Sequence, residues 1–189
     1  MEHLIHGKNL ALCCIRICSR DDDLPVFVTD KITDKTILSS KDNANVFPLY
    51  LYEENMGKME KRANLDKDIV AKIAAAVATV ETPVVPVNGQ DARSPSGADA
   101  QERIPPIDIF DYIYGVLHSP AYRAKFKEFL KSDFPRIPYP KDAEVFALYR
   151  DAGRELRMAH LMLDPPPTLS EPTARFPVPG DNVVDAVLW

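Results

Sequence analysis

At 189 residues, 46% hydrophobic and 27% charged, the chain has the length and apolar content for one ordinary domain with its own core. A formal net charge of −5 at pH 7 argues against a surface that grips nucleic acid all over, so any such contact must come from basic residues gathered in one place. No run is long and apolar enough to span a bilayer, and the first nine residues lack the basic-then-apolar pattern of a signal peptide, which predicts a cytoplasmic protein without membrane contact. Cys13, Cys14 and Cys18 crowd into one apolar run with no Cys-x-x-Cys pair, the pattern of reduced, buried thiols rather than a disulfide framework or a zinc site. Both ends are abrupt, with strand-like segments close to Met1 and at Trp189, as expected of a piece of a larger polypeptide.

In chain order, Asn9 to Ile17 is an apolar run whose length and polar flank favour a strand. Ser19 to Leu24 reads as a turn and Pro25 to Thr29 as a second strand. Ile32 to Leu38 is a third strand or a short irregular piece, and Ser39 to Asn45 a polar loop. Val46 to Tyr52 is another strand, with Pro48 pointing to an edge or a bulge. The period then changes. Leu65 to Val80 predicts a helix capped by Asn64 or Asp66, with Ile69, Ile73, Ala76, Val77 and Val80 on one side. From Thr82 to Pro105, prolines, glycines and polar residues predict a flexible linker or insertion.

Pro106 to Pro140 is the densest aromatic and apolar stretch. Asp108 is a candidate cap for a helix whose Phe110, Ile113, Tyr114 and Leu117 fall on one face. Ser119 can cap the next helix with Pro120 at its first position, where the missing N–H costs nothing, and Tyr122, Phe126, Phe129 and Leu130 give it an apolar stripe. From Phe134 to Pro140 each proline pushes its predecessor into extended geometry. Asp142 to Leu163 predicts a long helix that Gly153 weakens modestly and Asp164 to Pro167 ends, and Asn182 to Trp189 reads as a closing strand. The pattern is α+β: a small, mostly antiparallel N-terminal sheet packed with a helical subdomain, and a C-terminal strand returning to the sheet. It divides as 1–81 (sheet plus helix), 82–105 (linker or insertion) and 106–189 (helical subdomain and returning strand).

The run DYIYGVLHSPAYRAKFKEFLKSDFPRIPYP, from Asp111 to Pro140, resembles the C-terminal specificity (target-recognition) region of type ISP restriction–modification enzymes and related adenine-specific DNA methyltransferases. Members carry a Tyr-Ile-Tyr-x-Val-Leu-His-Ser-Pro-x-Tyr-Arg run followed by Phe-Pro-Arg-Ile-Pro, and Asn9 to Tyr52 and Phe176 to Val184 are similar to further blocks of the same family. The resemblance implies sequence-specific binding of double-stranded DNA, directing adenine methylation and cleavage by upstream methyltransferase and helicase or nuclease domains of the same polypeptide. It implies that this stretch is not itself catalytic and carries no cofactor or metal. The full enzyme would use S-adenosylmethionine, with ATP and Mg where a helicase is fused. The alternative is a helical docking module between domains of that enzyme, without DNA contact.

The residues themselves offer little catalytic chemistry. Asp164-Pro165-Pro166-Pro167 evokes the Asp/Asn-Pro-Pro-aromatic motif of adenine methyltransferases, but Pro167 cannot stack on a flipped base, and a helix stop is the simpler reading. Asp111, His118 and Ser119 can be drawn as a triad, yet Ser119 reads as a cap and His118 as a helix-end residue. His3 and His6 form no metal box, and Asp21 to Asp23 lack the loop spacing of a calcium site. Charge is the remaining signal. Ser119 to Arg157 holds nine basic and six acidic side chains in an otherwise acidic chain. Arg123, Lys127, Lys131 and Arg136, with Arg150, Arg154 and Arg157 spaced on one helical face, are the candidates for phosphate contacts. Arg16, Arg20, Lys31 and Lys35, in or beside the N-terminal sheet, are the candidates for reading base edges, with Asp30 or Asp34 as possible ion-pair partners of Arg16.

Overall fold

A computed structural model describes residues 2–17, 24–39, 42–78 and 104–163. Among these the fold is α+β. A short 3₁₀ turn, Glu2–Leu4, precedes the strands β1 (Ala11–Ile15), β2 (Val26–Thr29), β3 (Ala44–Pro48), β4 (Tyr50–Asn55) and β5 (Lys58–Ala63). The helices follow: α1 (Lys67–Ala78), α2 (Pro106–His118), α3 (Pro120–Leu130) and α4 (Ala143–His160).

The first sheet is antiparallel in the order β2-β1-β3, with Cys13 opposite both Phe27 and Val46. The run from Ile32 to Leu38 is irregular rather than a strand. The predicted strand Val46 to Tyr52 is two strands. Pro48 ends β3 on the sheet edge, where it owes no N–H to a neighbour. Leu49 is buried at the break and donates its N–H to Leu10 O (2.7 Å), after which the chain turns into a separate β4–β5 ribbon. Asn9, itself buried, ties the N-terminal segment to the ribbon's base. Its Nδ2 donates to the carbonyls of His3 and Tyr50 (both 2.8 Å), and its Oδ1 accepts from the N–H groups of Leu10 and Tyr50.

One core joins the sheet to the helices. Cys14, Val26 and Val28 cluster with Val70 and Ile73 of α1, Ile109, Tyr114 and Leu117 of α2, and Phe146 of α4. The core also takes in Ile104, so the predicted linker is already packed at its next-to-last residue, while Pro105 is exposed. α2 lies at the centre and is buried almost all round, with Tyr114 fully enclosed. It begins at Pro106, two residues before Asp108, and has no side-chain cap: the fixed proline φ starts it, and Asp108 sits in its first turn. Tyr112 stacks on Phe146 (5.2 Å between centroids) and meets Tyr149 edge-on (6.1 Å).

Asp66 and Ser119 cap their helices as the sequence offered, and Asp142 caps α4. Asp66 Oδ1 accepts from the N–H groups of Asp68 and Ile69, Ser119 Oγ from that of Tyr122, and Asp142 Oδ1 from that of Val145. Between α3 and α4, residues 134–140 run extended. Prolines deprive this segment of donors, and tyrosine hydroxyls supply them to its carbonyls: Tyr112 to Pro138 O and Tyr122 to Arg136 O, both at 2.9 Å. The expected closing strand Asn182 to Trp189, the Asp164–Pro167 stop and most of 82–105 lie outside the described residues. Among the described residues no helix is long and apolar enough to cross a membrane.

Candidate nucleic-acid interface

Arg123, Lys127, Lys131 and Arg136 follow one another along α3 and its exit. Arg123 turns back on α2, with its Nε donating to Leu117 O (2.6 Å) and Nη2 lying 3.4 Å from His118 Nδ1. It thereby closes the C-terminal end of α2, where bare carbonyls favour a cation. One turn on, Lys127 is exposed and lines a cavity of about 400 Å³ with His118, Pro120, Arg123 and Ala124. Lys131 pairs with Glu128 (3.3 Å), and the guanidinium of Arg136 lies over the Phe129 ring, 5.2 Å from its centroid.

Arg16, a candidate for reading base edges, lies at the exit of α3. It pairs with Asp133 (3.2 Å), not with Asp30 or Asp34, and lies 5.8 Å from the centroid of Phe134. The Phe134 ring in turn meets Phe47 of β3 edge-on at 5.6 Å, which brings the sheet edge to the exit of α3. Lys31 instead pairs with Asp30 (3.1 Å) after β2, and Lys35 is exposed in the irregular segment that follows. Arg20 and Asp21 to Asp23 lie outside the described residues.

The arginines of α4 do not form an exposed row. Their spacing puts Arg150 and Arg157 opposite the two acids of α2. Arg157 grips Asp111 with Nε and Nη2 (2.6 and 3.0 Å), with side-chain exposures of only 12% and 2%. Arg150 bonds Asp151 through Nε (2.9 Å) and reaches towards Asp108 at 3.8 Å. Arg150 thus takes Asp151, and Arg154 is the exposed member of the three. Burial raises the Asp111 carboxyl above its ordinary pKa, outweighing the pull of Arg157 in the other direction.

The residues drawn as a triad are occupied by structure. Both Asp111 oxygens accept from Arg157, and Ser119 Oγ caps α3. His118 sits in a ring cluster with Tyr114 (4.6 Å) and His160 (5.5 Å), and the Tyr114 hydroxyl bonds His160 Nδ1. Burial, with the Arg123 guanidinium and His160 adding to it, pushes His118 down to about 4. Its pKa is therefore below that of an unfolded histidine, and the fold holds the ring neutral. Stability conferred by this site is complete above the unfolded value near 6.5 and is lost as pH falls towards 4. Urea unfolding of the wild type should lose about 2–3 kcal/mol across that window beyond what His118→Gln loses. Parallel pH profiles for the two proteins would refute the assignment.

Burial also pushes Cys13 up to about 11 and Cys14 up to about 12, so both are inert thiols at neutral pH. Among the described residues no group of three His, Cys, Asp or Glu side chains could hold a metal ion.

Of the β4–β5 ribbon the sequence pointed only to Tyr50–Tyr52, the end of the predicted strand; the rest of β4, the turn and β5 had no counterpart. Asn55 pairs with Lys58 across a two-residue loop, Met56-Gly57, whose φ values are +50° and +76°. Positive φ at both central positions is the signature of the hairpin turn whose twist matches its strands. The available signal was Gly57 between two short runs. With Met rather than Asn or Asp before the glycine and charges in both runs, it is a faint one.

Against known proteins, the whole chain, residues 1–189, matches the family model of the Type ISP C-terminal specificity domain. No curated protein matches it. Among solved structures, the chain is similar to one in the cryo-EM structure of the DrdV–DNA complex, with a TM-score of 0.57 and 27% identity over 82% of this chain. The match spans 12% of that longer chain. With its α+β fold and its Tyr112 and Tyr122 hydroxyls holding the proline-rich exit, and with a family match that runs from end to end, this chain belongs to the Type ISP C-terminal specificity domain family.

Proposed function

We propose that this domain binds double-stranded DNA at a specific sequence and directs adenine methylation and cleavage by other domains of the same polypeptide. The end-to-end match to a specificity-domain family carries the reading. The presence of DNA in the structure of the similar chain supports it. In the full enzyme S-adenosylmethionine would supply the methyl group, and ATP with Mg would serve a fused helicase. The exposed Lys127 and the neighbouring Arg123, Lys131, Arg136 and Arg16 supply the local positive charge that an acidic chain needs to hold a phosphate backbone.

The test is a salt titration of binding to random-sequence duplex DNA, followed by sequencing of the retained fraction. Steeply salt-dependent binding with an enriched motif is expected, and Lys127→Ala should lower the log–log slope by about one without changing the motif. Absence of retention at low salt would overturn the proposal. It would favour a second reading, a module that docks other domains without touching DNA. One feature speaks for that reading: an apolar groove of about 370 Å³ between α1, α2 and the proline-rich run, rimmed by the exposed Ile69 and Tyr139.

A further inference from the structure

The β4–β5 ribbon has a shape that the rest of the fold does not require. From Glu53 to Arg62 every residue is exposed, and Met56 at the tip is 99% exposed. An exposed hairpin ending in methionine serves no core. A bare two-stranded ribbon is also marginal on its own, so its persistence has to come from its base. That base is tied firmly. Tyr50 is held by Asn9, the Tyr52 N–H donates to His3 Nδ1 (3.1 Å), the Tyr52 hydroxyl donates to Lys8 O (3.1 Å), and Asn64 Nδ2 donates to Pro48 O (2.9 Å). Lys61 lies over the Tyr50 ring, 3.8 Å from its centroid, and Arg62 bonds Glu53 across the strands at 2.6 Å. The projecting part is thus presented from a fixed root by cross-strand contacts rather than by packing.

We infer that the tip of this ribbon, Asn55-Met56-Gly57-Lys58, enters the major groove of the bound DNA and reads base edges there. The inference rests on the DNA-binding reading above. A two-stranded ribbon fits the groove, which is about 12 Å wide and 8.5 Å deep, and three paired positions beyond the root reach roughly 10 Å. The tip carries the right chemistry at the right place. Asn55 and Lys58 are the last facing pair, so both side chains leave the same face next to the turn. An asparagine amide suits the N6/N7 edge of adenine, a lysine the O6/N7 edge of guanine, and an apolar side chain the thymine methyl. Among the described residues Lys58 has no ion pair, and Asn55 makes one exposed bond to Glu60 at 3.3 Å that a base can replace.

The ribbon's charges balance, with Glu53, Glu54 and Glu60 against Lys58, Lys61 and Arg62. It therefore adds little to sequence-independent attraction, which falls to the basic residues of α3 and its exit. Phosphate contacts position a protein and base contacts specify. The division assigns grip to α3 and readout to the ribbon, and predicts that mutations separate the two.

The experiment uses the full 189-residue chain with Asn55→Ala, Lys58→Ala and the double variant, each checked by thermal melting. Wild type and variants select from the same random duplex pool, and the enriched site is then competed against its single-base-pair variants. Discrimination at one or two adjacent base pairs should fall by about 5- to 150-fold, with the salt slope unchanged. An unchanged motif in variants that still bind would overturn the ribbon's role and leave the DNA-binding reading standing. A motif kept but bound with a lower salt slope would overturn it too, by making the tip a phosphate contact. No retention of the wild type at low salt would overturn both.

Discussion

Gly153→Ala is expected to destabilise the fold by at least about 3 kcal/mol, and Gly115→Ala by a similar amount. Helix propensity alone gives the opposite sign, since alanine in a helix interior is favoured over glycine by about 1 kcal/mol. The crossing of α2 and α4 decides the matter. A Cβ on Gly153 would overlap the Asp111 carbonyl oxygen and lie 2.7 Å from Gly115 N. A Cβ on Gly115 would overlap the Tyr149 carbonyl oxygen and lie 3.2 Å from Gly153 N. Every obstacle is backbone, so no rotamer change relieves it, and the two helices would have to part. Parting them would loosen the Tyr112–Phe146 stack and the Asp111–Arg157 pair at once. Gly57→Ala provides a contrast. Nothing lies near its Cβ, and only the left-handed φ is penalised, so a loss of about 1 kcal/mol is expected. Urea unfolding of the three variants checks the order, and a Gly153→Ala protein as stable as wild type would refute the close crossing.

What could be read from the sequence was local. Ser119-Pro120 and Asp142 mark the starts of α3 and α4 because a cap and its N–H partner lie within three residues of each other. Asp66 works in the same way at α1. Asp108 misled because it has cap chemistry, while Pro106 could start α2 without a cap. Gly153 looked like a weak point in α4 because the chain it touches lies about forty residues upstream. Arg16 finds its partner 117 positions away at Asp133, a pairing that no spacing rule anticipates. Arg150, Arg154 and Arg157 do share a helical face, but periodicity cannot say whether a face meets solvent or another helix. Most of the ribbon was missed because, among the described residues, β4 and β5 pair only with each other and lack the alternation that burial of one face imposes. Within the run from Asp111 to Pro140, the bonds from Tyr112 and Tyr122 to the proline-rich carbonyls join its helical and extended parts into one structural unit.

Breaking the Asp111–Arg157 pair from either side should cost about 3–5 kcal/mol, because each substitution strands a buried charge. Arg157→Met leaves the Asp111 carboxylate, with a side-chain exposure of 2%, without its two donors. Asp111→Leu leaves a guanidinium facing hydrocarbon. Replacing both should cost much less than the sum and less than either alone, since the desolvation that raises the Asp111 pKa disappears with the charges. Urea unfolding of the two single variants and the double variant gives the coupling directly, and additive losses would mean that the charges do not interact. The double variant also settles what Arg157 does on DNA. If Arg157 only holds α4 to α2, the folded Asp111→Leu/Arg157→Met protein should bind duplex DNA with the wild-type salt slope. Arg154→Ala, which removes the exposed arginine of the same helix, should lower that slope by about one if α4 lies along the backbone. A reduced slope in the double variant would instead show that Arg157 leaves Asp111 for a phosphate when DNA binds, making the pair a latch that DNA opens.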